Sequence, residues 1–247
     1  MYHHEIEIQT LHQSQKLPTV DDPRWEINGT ISKIHIYPAK SCGAVSPSSG
    51  QVKIQKYGLE FNGAMKDRQF LIVDEHNNLV TGRQLPKLVL VQPWIENGIL
   101  SLSAPEVPTF NLELPKSSEG FEIIETKVCR QSCHGVDLGQ EVGQWFSNFL
   151  ERPDRVFKLI YHMENDSNRE LFDGNDPYNP MMRKEDVPLY ADDNPILLAT
   201  TASLDALNIA LEAKNVDKIE NYKQLRPCIL VEGKNSQCCQ LYSKSKY

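Results

Sequence analysis

The sequence predicts a mixed, mainly β fold of barrel type with a few helices, and three observations carry that expectation. Apolar residues alternate with polar neighbours at Ile34 and Ile36, at Val52 and Ile54, and at Phe110, Leu112 and Leu114, the period of two that marks half-buried strands. Turn signals separate such segments: Asp74–Asn78 precedes Leu79-Val80-Thr81, and Asn97-Gly98 lies between Trp94-Ile95 and Ile99-Leu100-Ser101-Leu102, a strong signal for a two-residue hairpin. The run Phe70-Leu71-Ile72-Val73 has strand length and no polar face, so it belongs in a buried position. Short strands joined by tight turns over about 100 residues favour an antiparallel barrel or sandwich over a layered α/β fold.

Taken in order, residues 1–28 hold three histidines, five acids and two prolines with little apolar periodicity, and read as a mobile arm. The β-rich stretch follows from Gly29. Within it, the densest apolar runs, such as Leu88-Val89-Leu90-Val91, are of strand size. Helical periodicity appears at Val142, Trp145, Phe146, Phe149 and Leu150, one face of an amphipathic helix that Pro153 ends. The polar stretch from Met163 to Asp186, with Asp173-Gly174-Asn175-Asp176-Pro177, reads as a long flexible loop. A second helix is expected from Thr201, capped by that hydroxyl, with Asp205 in its first turn and Leu204, Leu207 and Leu211 buried. Leu225–Val231 reads as a buried strand, and 243–247 as a polar tail.

Composition narrows the function classes. A chain of 247 residues is one large or two small domains, enough for a real core. Lys and Arg total 26 against 33 Asp and Glu, a formal charge of −7, which argues against general affinity for nucleic acid or anionic lipid. No run approaches the roughly 18 apolar residues of a spanning helix, and Met1–Ile8 has neither a signal peptide's basic and apolar regions nor the Arg-rich character of a transit peptide. Cytoplasmic placement is the expectation. Six cysteines, Cys42, Cys129, Cys133, Cys228, Cys238 and Cys239, then read as reduced thiols.

Three constellations offer chemistry. In Tyr37-Pro38-Ala39-Lys40-Ser41-Cys42-Gly43 a strand ends in a cation, a hydroxyl and a tight turn; ammonium, hydroxyl and turn amides suit an anion such as phosphate, and a solvated turn is the alternative. Asp67-Arg68 stands at the mouth of the buried Phe70 strand. The planar guanidinium matches phosphate or carboxylate, and Asp67 is its nearest structural partner. Thr81-Gly82-Arg83-Gln84-Leu85-Pro86 repeats the theme, with Arg83 as the polar handle. Cys129, Cys133 and His134 have no second pair at zinc-finger spacing and read as buried thiols, and Cys238-Cys239 as an exposed, oxidisable pair. No Gly-rich phosphate loop, nucleophile elbow or HExxH motif is present.

The order and spacing of Tyr37-Pro38-Ala39-Lys40-Ser41-Cys42, of Gly58-Leu59 with Asp67–Val73, and of Val80–Leu88 resemble the N-terminal β-barrel of the MOSC (molybdenum cofactor sulfurase C-terminal) family. The resemblance continues through Val136-Asp137-Leu138-Gly139, Tyr190–Pro195, Ala202–Asn208 and Leu225-Arg226-Pro227, over residues 29–232. Arg83-Gln84 and Ala202-Ser203-Leu204 are most like its mitochondrial amidoxime-reducing branch. The resemblance implies an arm at 1–28, an N-terminal barrel domain at 29–155 and a MOSC domain at 156–247. It implies that Lys40, Ser41, Arg68 and Asn194 hold the pterin and phosphate of a molybdenum cofactor, and that Arg226 closes the pocket from the second domain. It further implies two-electron reduction of N-hydroxylated, amidoxime-type substrates, with electrons from cytochrome b5 and its reductase. Pyridoxal phosphate binding is a family-level association, and no lysine here sits in a Schiff-base motif.

This sequence departs from the pattern at Asp193-Asn194, where the branch has Thr-Ser, and at Cys228, where it has Asn. An acid at 193 would repel a phosphate it faced. The branch carries a further segment beyond the Arg226 strand that supplies a metal-ligating Cys, and this sequence runs to Tyr247. The expectation is therefore a truncated second domain, with the metal ligand and catalytic residues unassigned. The competing reading is a non-catalytic module that binds cofactor or acts as a sulfur-carrier-type interaction domain. Placement at the mitochondrial outer membrane is the family alternative to the cytoplasm, through an N-terminal anchor that this sequence does not show.

Overall fold

The computed structural model describes the backbone of residues 8–10 and, with side chains, residues 29–163, 169, 188–192 and 194–233. The remainder of 1–28, most of the expected 163–186 loop and the 243–247 tail lie outside the described residues. The chain divides into two compact units, residues 1–9 with 36–195 and residues 10–35 with 196–247. Among the described residues the fold is mostly strands, with two α-helices.

In chain order the strands are β1 (Ile8–Thr10), β2 (Thr30–Ile34), β3 (Val52–Gln55), β4 (Gly58–Phe61), β5 (Met65–Lys66), β6 (Phe70–Asp74), β7 (Gln92–Glu96), β8 (Ile99–Ala104), β9 (Val107–Glu113), β10 (Ile123–Val128), β11 (Gln131–Asp137), β12 (Phe157–Tyr161), β13 (Leu198–Thr200) and β14 (Ile229–Glu232). The helices are α1 (Gln140–Phe149) and α2 (Thr201–Glu212). The larger unit builds sheets in the orders β1-β3-β4-β5, β10-β11-β12-β6 and β7-β8-β9.

Strand β6 is the apolar run expected to be buried, and Phe70, Leu71, Ile72 and Val73 are each 0% exposed. It pairs antiparallel with β12, Phe70 opposite Tyr161, and the two rings stack at 4.9 Å. Leu71 and Val73 join Ile124, Val128, Cys133, Ile160 and Tyr190 in one apolar cluster. Asn97 and Gly98, at φ 51° and 78°, make the tight hairpin between β7 and β8; Gly and Asn tolerate that left-handed backbone best. Helix α1 buries Val142, Trp145, Phe146 and Phe149 as its periodicity implies. It ends before Pro153, where Glu151 takes φ 55°.

Two apolar segments of strand size take other forms. Leu79-Val80-Thr81 makes a single bridge, Val73 with Leu79, because Thr81 leaves the sheet into a turn in which its amide and hydroxyl both donate to Gln84 Oε1, at 2.8 and 3.0 Å. Leu88–Val91 is largely a 3₁₀ turn over Pro86–Leu90, with Pro in its first turn. Pro has no N–H to give to a ladder and its φ suits a helical start, so the local geometry overrides the apolar run.

The smaller unit contains β2, β13, β14 and α2, in a sheet of order β13-β14-β2. Helix α2 is capped by Thr200, whose side chain accepts from the Ser203 amide, and not by Thr201; none of its residues is fully buried. Among the described residues Leu207 remains 37% exposed and Ile209 68%, so the expected burial of the leucine stripe is not met. The strand expected over Leu225–Val231 begins only at Ile229, since Tyr222–Leu225 form a 3₁₀ turn closed by Arg226 at φ 55°.

His35 is 0% exposed. Its amide donates to Cys228 O at 2.8 Å, and its ring lies 5.4 Å from that of Tyr222. Burial first, then the charges of Lys223 and Lys33, lower its pKa from 6.5 to about 4. The unfolded chain therefore takes up a proton below pH 6.5 that the folded chain refuses until about pH 4. Stability falls as pH drops through that window, by roughly 3 kcal/mol in full. Urea unfolding at pH 7.5 and pH 4.5 checks this. The wild type should lose clearly more than His35→Asn, and equal losses would refute the assignment.

Candidate anion site

The site lies in the larger unit and is set by the backbone around the start of β6. The Tyr37–Lys40 segment runs beside Asp67–Phe70, with the amides of Arg68, Phe70 and Lys40 donating to Tyr37 O, Pro38 O and Phe70 O at 2.7, 2.9 and 2.9 Å. Ala39 and Phe70 form a parallel bridge. That register places Lys40 and Arg68 on neighbouring strand ends. On the other flank the Tyr190 amide donates to Arg68 O at 3.1 Å and the His162 amide to Gln69 O at 2.9 Å.

Arg68 adopts φ 50°, and its guanidinium stacks over the Tyr37 ring, 4.4 Å from the centroid. It donates to Asp67 Oδ2, while Asp67 Oδ1 accepts the Tyr37 amide at 2.8 Å. Asp67 is the structural partner the sequence suggested for Arg68. The carboxylate side chain is 1% exposed and the Arg68 side chain 13%, so the arginine is held by a ring, a carboxylate and its own backbone. Ser41 takes φ 71° and is half-buried. The Thr81–Gln84 turn abuts it, since a Cβ on Gly82 would lie 3.6 Å from Ser41 Cβ.

Lys40 points to Asp192, Nζ to Oδ1 at 2.6 Å, with the lysine side chain 11% exposed and the carboxylate 59%. Burial pulls the Lys40 pKa below its ordinary value; Asp192 pulls it back up, and Arg68 adds to the lowering. For Asp192 burial pushes upward, but the hydrogen bond and charge of Lys40, with contributions from Cys129 and Arg83, leave the carboxyl below its usual range. Cys129 Sγ donates to Asp192 Oδ1 at 3.4 Å from the β10–β11 turn. That two-residue turn has Cys129 at φ 49° and Arg130 at φ 71°.

Arg169, 3% exposed, fixes the Asp192 segment. Its guanidinium donates to the carbonyls of Leu189 at 3.0 Å, Asp192 at 2.9 Å and Ala191. It also reaches Val128 O at 3.4 Å and Gln131 Oε1 at 3.1 Å, tying residues 189–192 to the β10–β11 hairpin.

Of the residues singled out in the sequence, Lys40, Ser41 and Arg68 are therefore near one another. Asn194 is exposed, and it is the side chain of Asp192, two residues earlier, that meets Lys40. Arg226 caps the 3₁₀ turn of the smaller unit. Asp193 lies outside the described residues. Asp192 and Arg169 are the residues that sequence reasoning missed. Asp192 lies in the Tyr190–Pro195 segment of the family resemblance, where it carried no assigned role, and Arg169 had no periodic or motif signal. Cys133 is buried and Cys129 exposed at the turn, and among the described residues no three His, Cys, Asp or Glu side chains gather to hold a metal. Among the described residues no helix is long and apolar enough to cross a membrane.

The larger unit is a mainly β domain in which the backbone sets two anchored cations, Lys40 and Arg68, side by side at the start of β6. The family model of the MOSC N-terminal beta barrel domain matches residues 28–153, just over half of the chain, and the chain belongs to that family. Curated relatives extend the similarity. A Danio rerio protein named mitochondrial amidoxime-reducing component 1 is 34% identical over 203 residues, 82% of this chain and 58% of its own length. Mitochondrial amidoxime reducing component 2 of Macaca fascicularis is 34% identical over 209 residues, 83% of this chain and 57% of its own length. Component 1 of Homo sapiens is 31% identical over 221 residues, 89% and 59% respectively. The chain thus spans a little under three fifths of the length of these relatives.

Proposed function

We propose that the Lys40–Arg68 face binds the phosphate-bearing pterin of a molybdenum cofactor, as part of an oxidoreductase acting on N-hydroxylated, amidoxime-type compounds with electrons from cytochrome b5 and its reductase. The observation that carries the reading is the placement of two cations on adjacent strand ends by a backbone ladder, in a protein of formal charge −7. A phosphate dianion needs cations that remain charged near neutrality and donors fixed in advance. Arg68 supplies a planar donor already oriented by Asp67 and Tyr37. Lys40 supplies a point charge, and Ser41 a hydroxyl beside it. Asn194 and Arg226 are the further ligands that the family resemblance suggests. When bound, the cofactor would supply the two-electron redox chemistry; these residues would bind and orient it. Relatives named mitochondrial amidoxime-reducing components support the substrate class and point to the mitochondrion.

Elemental mass spectrometry for molybdenum and oxidative fluorescence for pterin test the reading, on one desalted preparation of the full chain from a cofactor-sufficient host. Near-stoichiometric amounts of both are expected, falling at least tenfold in Lys40→Met/Arg68→Met, because removing a single charge-assisted hydrogen bond weakens binding by roughly a factor of ten. Folded protein with neither would overturn it. Reduction of benzamidoxime by loaded protein with a reconstituted electron chain then separates an enzyme from a binding module.

A further inference from the structure

We propose that Asp192 is an internal counter-anion that occupies Lys40 until an external anion displaces it, so that the site is self-inhibited in the free protein. The inference rests on the reading of Lys40 and Arg68 as an anion site and adds a residue that sets the site's threshold.

The two partners of the Lys40–Asp192 pair differ in how firmly they are held. Lys40 is anchored by its amide to Phe70 O at 2.9 Å, and its side chain is 11% exposed. It cannot leave the site, and burial makes an ammonium without a counter-charge costly there. Asp192 has 59% of its side chain in solvent, so returning its carboxylate to water costs little. Its backbone is fixed separately, because Arg169 holds the carbonyls of Leu189, Ala191 and Asp192. The carboxylate can therefore swing away by side-chain rotation, giving up its contact with Lys40 and the weak thiol bond from Cys129. Arg83 already draws on the Asp192 charge and offers it electrostatic compensation once displaced.

Arg68 provides the internal contrast. Its partner Asp67 is 1% exposed and also committed to the Tyr37 amide, so that pair is structural and stays closed. Of the two ion pairs, only the one at Lys40 has a partner able to exchange. A phosphate dianion brings more charge to Lys40 than the carboxylate it replaces, and it meets the neighbouring Arg68 as well. The apparent affinity is the intrinsic affinity multiplied by the fraction of molecules in which Asp192 has released Lys40.

Isothermal titration of the full chain with inorganic phosphate at pH 7.5 and constant ionic strength tests this. Asp192→Asn should bind about tenfold more tightly than wild type, the effect expected of removing one half-exposed competing charge. Asp192→Glu, which keeps the carboxylate, should stay near wild type. The gain should vanish in Lys40→Met/Asp192→Asn, and the thermal transition of each variant confirms folding. Equal affinities for wild type and Asp192→Asn, both lost with Lys40→Met, would overturn the counter-anion role and leave the anion site intact. Phosphate binding unaffected by Lys40→Met, or no binding by either protein, would overturn the site and the counter-anion together.

Discussion

Asp67→Ala should be among the most destabilising single changes in the larger unit, lowering the free energy of unfolding by about 3–5 kcal/mol. The carboxylate is 1% exposed and does two jobs: it accepts the Tyr37 amide at 2.8 Å and it neutralises Arg68. Removing it leaves a guanidinium with 13% of its surface in water facing a void where its counter-charge stood, and it strips the Tyr37 amide of its acceptor. Arg68 cannot withdraw, because its backbone is pinned on both sides by Tyr37 O and the Tyr190 amide. Urea unfolding followed by tryptophan fluorescence measures the loss. Asp67→Ala/Arg68→Met should recover part of it, because the charge that Asp67 neutralised goes as well. A single variant within about 1 kcal/mol of wild type would show that the pair is as weak as an ordinary surface ion pair.

Period and turn chemistry made most of the barrel readable. Phe70–Val73 is apolar on both faces because β6 is enclosed, with all four residues at 0% exposure, and Asn97-Gly98 is a hairpin because those two residues accept positive φ. The pattern misled where composition and geometry disagree. Leu88-Val89-Leu90 are apolar enough for a strand, but Pro86 begins a 3₁₀ turn, leaving Val89 46% and Leu90 47% exposed. In α2 the leucine spacing is that of a buried stripe, yet burial depends on having a partner of sufficient area, which spacing does not reveal.

The candidate site was legible on its N-terminal side only. Lys40, Ser41 and Arg68 stand in short motifs at strand ends, where side chains converge as a matter of topology. Asp192 is separated from Lys40 by 152 residues, and no local pattern encodes an ion pair at that range. Asp193 and Asn194 stand out in the sequence because they differ from the family pattern, whereas Asp192 is the acid that the fold turns toward Lys40. The thiol of Cys129 belongs to the same group of side chains. In the sequence it belongs to a Cys-Cys-His set, which the β10–β11 hairpin splits by placing Cys129 at the turn and Cys133 in the core.

Arg169 is the clearest case of a long-range interaction with a large expected effect. A guanidinium 3% exposed and bonded to carbonyls from Val128, Leu189, Ala191 and Asp192 does what a strand would otherwise do: it satisfies the acceptors of a segment that has no ladder of its own. Arg169→Met is close in length and loses every one of those bonds. Several buried carbonyls then lack donors, and a loss of about 2–4 kcal/mol is expected. Arg169→Lys keeps the charge but not the planar fork and should recover less than half. Amide exchange distinguishes this from general weakening. The Tyr190 amide, bonded to Arg68 O at 3.1 Å, should exchange at least tenfold faster in Arg169→Met under native conditions, since local opening there no longer requires breaking the clamp. The amides of β6 should slow or quicken only with global stability. Unchanged protection at Tyr190 in a folded Arg169→Met would mean that the segment is held by Tyr190 itself, whose hydroxyl donates to His134 O at 2.7 Å, and that the arginine is not what positions Asp192.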